Sequence, residues 1–121
     1  IENYITLINQ RSNDFVKNLQ LFLKQNDGEF YFFTRYGKVP HTSFNFTDKN
    51  KNIYLIFGKE STGIPKSILK DYLDRCMRIP TSPNVRALNL SNCVAIATYE
   101  VLRQWGFPEL LCQGELTKYE W

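Results

Sequence analysis

The stretch Ile79-Pro-Thr-Ser-Pro-Asn-Val-Arg-Ala-Leu-Asn-Leu-Ser-Asn-Cys-Val-Ala-Ile-Ala-Thr-Tyr-Glu100 joins a Pro-rich polar loop to a strong helical pattern. To its left, Cys76 to Ile79 is a short, mostly apolar run that reads as a strand. To its right, Leu90, Val94, Ala97 and Val101 recur at three- and four-residue intervals, the apolar face of a helix from about Leu90 to Trp105. Gly106 and Pro108 supply its stop signals. Between them Arg86 to Asn92 runs directly into the helix N-terminus, whose unpaired N–H groups and positive dipole end can hold an electron-rich ligand. The same pattern also describes an ordinary capped helix. The residues of this stretch alone leave both readings open.

Working outward, Ile53-Tyr-Leu-Ile-Phe57 and Glu29-Phe-Tyr-Phe-Phe-Thr34 are apolar runs too continuous for half-exposed strands, so both are expected to be buried. Ser12-Asn-Asp14 is a helix start, and Phe15, Leu19, Phe22 and Leu23 mark one face of a helix ending near Gln25. Asn26-Asp-Gly28 is a turn, and Ile1 to Arg11 reads as a short strand or extended segment. Pro65 suits the first residue of a helix through about Tyr72. Arg35 to Asn52 is polar loop, and residues 109–121 form a polar tail to which the pattern assigns no role.

Buried strands alternating with helices predict an α/β fold with a mostly parallel sheet and flanking helices. Ligands in such sheets sit at the carboxyl ends of the strands. Three loops leave those ends, Thr34 to Pro40, Gly58 to Pro65 and Pro80 to Asn89, and a pocket shared by them is the expected site.

With 121 residues the chain is a single domain, 1–121, large enough to bury a core. Its 43% apolar and 22% charged residues fit a soluble globular protein. It has no run long enough to span a bilayer and no signal-peptide pattern, so a cytoplasmic protein without a membrane partner is expected. Cys76, Cys93 and Cys112 are odd in number and widely spaced, which supports neither a disulfide framework nor a metal site. A net charge of +3 permits a nucleic-acid partner without requiring one.

Several chemistries drop out. Gly58-x-x-x-x-Gly63 is followed by Ile64-Pro65, where a phosphate-cradling P-loop needs Lys-Ser or Lys-Thr. The Gly-x-Gly-x-x-Gly fingerprint is missing. His41 is the only histidine, and a loop histidine, exposed or hydrogen-bonded, is its expected state; a hydrolytic triad is poorly served. What remains is a pocket of Gly- and Pro-rich backbone flanked by Glu60, Asn89, Ser91 and Asn92. Backbone groups of such loops can read an adenine edge and a ribose. Glu60 either orients a hydroxyl or complements a cation there, or anchors its own loop.

Phe57-Gly-Lys-Glu-Ser-Thr-Gly-Ile-Pro65 resembles the second motif of the SpoU-type branch of the SPOUT RNA methyltransferases. Ile79-Pro80 followed by Ala87-Leu-Asn-Leu-Ser-Asn92 resembles the third. The likeness covers roughly Ile1 to Pro108 and is greatest to the small single-domain tRNA 2′-O-ribose methyltransferases that act on the wobble cytidine or uridine. Thr34 to Thr42 and Tyr99-Glu-Val-Leu-Arg-Gln104 fit that subgroup too.

The resemblance implies a deep trefoil knot in the C-terminal half, a SPOUT-like feature that ordinary connection rules would not predict. It implies S-adenosyl-L-methionine as cofactor, with contacts at Phe33, Thr34, Gly58, Glu60, Gly63, Ile79, Ala87, Leu88 and Asn89, mainly through backbone groups. Glu60, Asn89 and Ser91 become the polar groups near the transfer, Asn89 as an orienting group and Ser91 equally as a helix cap. For RNA, Arg35, Lys38 and Arg86 are the contacts expected, with Arg11 and Arg78 as further candidates. A homodimer through the last helix is implied, with Tyr99 and Trp105 suited either to that interface or to the core.

The chain departs from the family pattern in two ways. Ala87 stands where the family usually has serine. No counterpart is found for the first motif, a strand–helix unit carrying an asparagine and an arginine, so the chain is expected to lack that N-terminal unit or to be degenerate. These departures keep alive an alternative, a catalytically impaired RNA-binding module on the same fold. A nucleotide-binding sensor of another kind would predict a different ligand and no RNA affinity.

Overall fold

The computed structural model describes residues 4–7, 15–48, 51–58, 64–84 and 89–114. Its centre is β3 (Ile53–Phe57), whose five residues are all buried, as an apolar strand covered on both faces must be. Parallel pairing places β1 (Tyr4–Leu7) on one side of it and β2 (Glu29–Phe33) on the other, and β4 (Cys76–Met77) pairs with β2. The sheet order is β1-β3-β2-β4, with every pairing parallel. All four strands therefore end at one edge, where the three expected loops begin or return.

Two layers of side chains cover the sheet. On one face Phe30, Phe32, Tyr54 and Ile56 pack with Leu19 of α1 (Phe15–Gln25) and with Ile68 and Leu69 of α2 (Lys66–Leu69). On the other, Ile53, Leu55, Phe57 and Met77 pack with Ala97 and Val101 of α3 (Leu90–Gln104). The period-two alternation along β3 sends Tyr54 and Ile56 one way and Ile53, Leu55 and Phe57 the other. The apolar stripes of α1 and α3 are those of the sequence, apart from Phe15, whose side chain lies outside the described residues, as does the Ser12-Asn-Asp14 start signal.

Three expectations need correction. β2 is not buried throughout: Phe30 and Phe32 are, while Tyr31 and Phe33 stay half-buried. Their face is roofed partly by loop aromatics, with Tyr31 against Phe44 and Phe46 at ring-centroid distances of 5.4 and 4.8 Å. Pro65 is the N-cap of α2 rather than its first residue, and α2 stops at Leu69. Tyr72 leaves helical geometry (φ −133°, ψ 29°) and lays its ring 4.8 Å from that of Phe32, so docking onto the sheet replaces further helix. β4 ends at Met77, and Arg78 instead forms an isolated bridge with Pro40.

The end of α3 follows its stop signals. Gly106 adopts φ 78°, its N–H donates to Arg103 O, and Phe107 N–H reaches back to Leu102 O, the double bond pattern of a Schellman cap.

Candidate ligand site at the carboxyl edge of the sheet

The loop after β2 is fastened along its length to the exit of β4. Thr34 N–H donates to Met77 O, Arg78 N–H to Val39 O, and His41 N–H to Arg78 O, at 2.8–3.0 Å. Thr34 also shapes its own turn, its Oγ1 accepting from Tyr36 N–H at 3.2 Å and its carbonyl from Gly37 N–H at 3.0 Å. Gly37 sits so tightly on β4 that a Cβ there would lie 2.4 Å from the Met77 carbonyl carbon. Arg35 and Lys38 project from this loop as exposed cations. Tyr36 at its tip is 45% exposed, with the Arg35 guanidinium 5.1 Å and the Lys66 ammonium 4.8 Å from the ring centroid. Arg35 Nη2 donates to the Tyr36 hydroxyl at 3.0 Å, and chiefly that bond pulls the phenol below its ordinary pKa.

Behind this loop lies an apolar floor whose exposed part is Phe33, since Phe57 is only 1% exposed. Phe33 and Phe57 are register partners on adjacent strands, and their rings stack at 4.7 Å with 13° between planes. Just past them Thr34, Gly58 and Ile79, all half-buried, bring backbone polar groups to the same edge. The start of α3 packs over it, since Leu90, Cys93 and Val94 join the cluster that holds Phe57 and Met77. Asn89 is the N-cap of α3: its Oδ1 accepts from Ser91 N–H at 2.8 Å and from Ser91 Oγ–H at 2.6 Å. Of the two roles expected for Ser91, the cap falls to Asn89, and Ser91 is the capped residue.

The structure thus brings Phe33, Thr34, Gly58 and Ile79 to one edge of the sheet, and packs Leu90, which lies between Asn89 and Ser91, into the cluster that holds Phe57. Glu60, Gly63, Arg86, Ala87 and Leu88, and with them the parts of the expected knot at 59–63 and 85–88, lie outside the described residues, as does Arg11. Cys76 and Cys93 are pushed up in pKa by burial, which disfavours the reactive thiolate. Among the described residues no cluster of His, Cys, Asp or Glu could hold a metal, and no helix is long and apolar enough to cross a membrane.

A polar brace supports the loop from below. Gln104 of α3 donates from Nε2 to Phe44 O at 2.8 Å and to Glu100 Oε2 at 3.2 Å, while its Oε1 accepts from Phe46 N–H at 2.7 Å. Trp105 Nε1–H donates to Phe46 O at 2.6 Å. Glu100 is 7% exposed and carries two bonds from Arg103. His41 is half-buried, and its Nδ1 is buried with no hydrogen-bond partner among the described residues, unlike the satisfied or exposed loop histidine expected. Sequence reasoning missed Glu100 and Gln104 as a brace, although Glu100 shares the buried face of α3 with Ala97 and Val101 and Gln104 follows one turn on. A polar pair on an apolar stripe was the available signal. Trp105 belongs to the core by packing, whereas Tyr99 is 60% exposed.

These features define an α/β domain with a candidate site at the carboxyl edge of a parallel sheet. Residues 7–99 match the SpoU rRNA Methylase family, and the chain belongs to that family. It is 52% identical over 94 residues to a protein of Geobacillus stearothermophilus that provisionally carries the name tRNA (cytidine(34)-2′-O)-methyltransferase, covering 77% of this chain and 60% of that protein. The Escherichia coli K12 protein of that name is 38% identical over 86 residues, covering 69% of this chain and 52% of its own length. A crystal structure from Bacillus anthracis, provisionally described as an RNA methyltransferase, superposes with a TM-score of 0.72 at 33% identity, over 89% of this chain and 79% of that one. The chain spans somewhat over half the length of these curated relatives.

Proposed function

We propose that the protein methylates a ribose 2′-hydroxyl of tRNA at the wobble nucleotide, a cytidine or uridine, with S-adenosyl-L-methionine as donor. One observation carries this reading: the half-buried ring of Phe33, backed by the buried Phe57, lies with the half-buried Thr34, Gly58 and Ile79 at the carboxyl edge of the sheet, and the start of α3 packs into the same cluster through Leu90. That donor set fits an adenosyl group, which needs an apolar surface for its base and backbone partners for its base edge and hydroxyls. The names of the relatives supply the reaction and the substrate.

Bound there, the sulfonium cofactor supplies an already activated methyl group. The protein's task is then to set the hydroxyl in line and to exclude water. Thr34, Gly58 and Ile79 hold the cofactor, and by motif position Glu60, Gly63, Ala87 and Leu88 complete its cradle. Asn89 Oδ1 is committed to Ser91, which leaves Nδ2 to orient a ligand oxygen. Ser91 holds Asn89 in that pose, and Glu60 is the carboxylate that motif position puts near the transfer. Oxygen charge developing on the ribose gains from donors and cations at this edge. Arg35, Lys38 and Arg86 grip the RNA backbone.

The same reading includes the knot, formed where the segment carrying Ala87 to Asn92 threads a loop, and a homodimer through α3, in the cytoplasm. Ile96 and Tyr99 of α3, with Leu110 and Leu111 beyond it, leave an apolar surface exposed that a second copy would cover.

The test is transfer of labelled methyl groups from S-adenosylmethionine to tRNA carrying cytidine or uridine at the wobble position. Methylation there, lowered by Glu60→Ala and by Asn89→Ala in folded protein, is the expected result. A folded protein that binds S-adenosylhomocysteine and tRNA but transfers nothing is the impaired RNA-binding module instead.

A further inference from the structure

We infer that Tyr36, with Arg35 and Lys66 beside it, is a stacking clamp for an unpaired nucleotide of the RNA substrate, next to the one that is methylated. This rests on the tRNA reading above and adds a contact that the motifs do not assign.

Charge comes first. Lys51 and Arg75 are paired with Glu29, and Arg103 with Glu100. Among the described residues Arg35 and Lys66 have no carboxylate partner, yet both converge on one aromatic ring. Each cation is attracted by the electron-rich face of Tyr36, which is a weak partner beside a full anionic charge. The phosphate of a nucleotide resting on the ring would supply the anionic partner that both lack.

The ring itself points to the rest of the ligand. Most aromatic side chains of the described residues are drawn into the two core clusters, whereas Tyr36 stands 45% exposed at the tip of its turn. A flat ring with a guanidinium over it offers planar surfaces on which unstacked bases rest, and stacking is indifferent to base identity. A duplex hides its bases in the stack and would use only the charges, so the exposed ring favours a single-stranded loop.

Position and rigidity agree. The turn is pinned by the Thr34 bonds and by the contact of Gly37 with Met77, so the clamp is formed before RNA arrives and little ordering is lost on binding. Tyr36 lies two residues from Thr34, at the edge where the cofactor floor ends. A nucleotide held there neighbours one placed over the floor.

The experiment measures binding of an anticodon stem-loop RNA to the natural full-length protein over a salt series, with S-adenosylhomocysteine titrated in parallel. Tyr36→Ala is expected to weaken RNA binding about tenfold. Tyr36→Phe, which keeps the ring, recovers most of that loss, and cofactor-product affinity stays within twofold in both. Lys66→Ala lowers the slope of log affinity against log salt by about one. Undiminished RNA binding by Tyr36→Ala overturns the clamp, and so does equal weakening by Tyr36→Ala and Tyr36→Phe. A parallel fall in S-adenosylhomocysteine affinity also overturns it, because the loop would then be acting on the pocket. Wild-type protein that binds S-adenosylhomocysteine but not the stem-loop overturns the tRNA reading itself, and the clamp with it.

Discussion

Gln104 Oε1 accepts the backbone N–H of Phe46 at 2.7 Å across 58 residues of chain, and its Nε2 returns a bond to Phe44 O at 2.8 Å. One side-chain amide thus pairs with the loop as a neighbouring strand would. It anchors the far end of the segment that begins at Thr34 and carries Arg35, Tyr36 and Lys38. Removing it in Gln104→Ala strands two partly buried backbone groups, at a cost of about 2 kcal/mol. Gln104→Glu should do worse, since it cannot donate to Phe44 and places a second carboxylate beside Glu100. Urea unfolding checks both; a loss within about 0.5 kcal/mol for Gln104→Ala, the range of a surface substitution, would mean that water replaces the brace.

Glu100 makes that brace sensitive to acid. The Arg103 guanidinium, then Gln104, and the nearby charge of His41 hold its carboxyl below the ordinary carboxylate range against an opposing push from burial. A carboxylate with a depressed folded-state pKa stabilises the fold above its unfolded value, and that contribution disappears as pH falls through the folded value. Thermal stability should therefore drop on acidification through and below the usual carboxylate range. Glu100→Gln should be less stable at neutral pH and show a shallower acid decline. Parallel curves for the two proteins would remove Glu100 as the source.

Gly37 tests the attachment of the loop to β4. The obstacle there is packing against strand backbone, because the Met77 carbonyl carbon, Cα and oxygen all lie within 2.7 Å of the position a Cβ would take. Backbone atoms of a paired strand cannot step aside as a side-chain tip can. Gly37→Ala is expected to cost about 1–3 kcal/mol, the range of an overpacked core. It should also weaken RNA binding by displacing the turn that presents Arg35 and Tyr36. An unchanged melting temperature would contradict so close a contact.

The sheet, its direction and its two layers were legible because β3 and the stripes of α1 and α3 carry unmistakable apolar periods. The three loops at the carboxyl edge followed from strand direction alone. Three things escaped for physical reasons. β2 reads as fully buried because aromatics fill both its faces, yet what covers Tyr31 and Phe33 includes a loop whose path no local pattern encodes. The early end of α2 comes from Tyr72 docking on Phe32, a contact between distant residues. The convergence of Arg35 and Lys66 on Tyr36 joins residues 30 apart in sequence through sheet topology rather than through any motif. Asn89 and Ser91 were found by motif, but which of them caps the helix depended on a backbone angle.

The exposed apolar surface of α3 gives a test of assembly. Ile96 is 37% and Tyr99 60% exposed on a helix whose opposite face is in the core. A charged residue at the centre of an apolar interface must be desolvated without a partner, so Ile96→Asp should shift the protein from dimer to monomer in sedimentation. The side chain is not in the core, so folding should survive, as circular dichroism would report. A wild-type protein that sediments as a monomer at all concentrations would refute the dimer.

Asn89 carries two duties that substitution can separate. As N-cap it accepts from Ser91 N–H, so Asn89→Ala should cost about 1 kcal/mol, whereas Asn89→Ser keeps a capping oxygen and most of the stability. As a ligand-orienting group it needs its amide nitrogen, which alanine and serine both lack. Titration of S-adenosylhomocysteine should accordingly weaken in both variants, and methyl transfer should fall in both, while only Asn89→Ala melts earlier. If Asn89→Ser matches the wild type in stability and in affinity, the residue is a cap and nothing more. The orienting role would then pass to the backbone of the loop that precedes it.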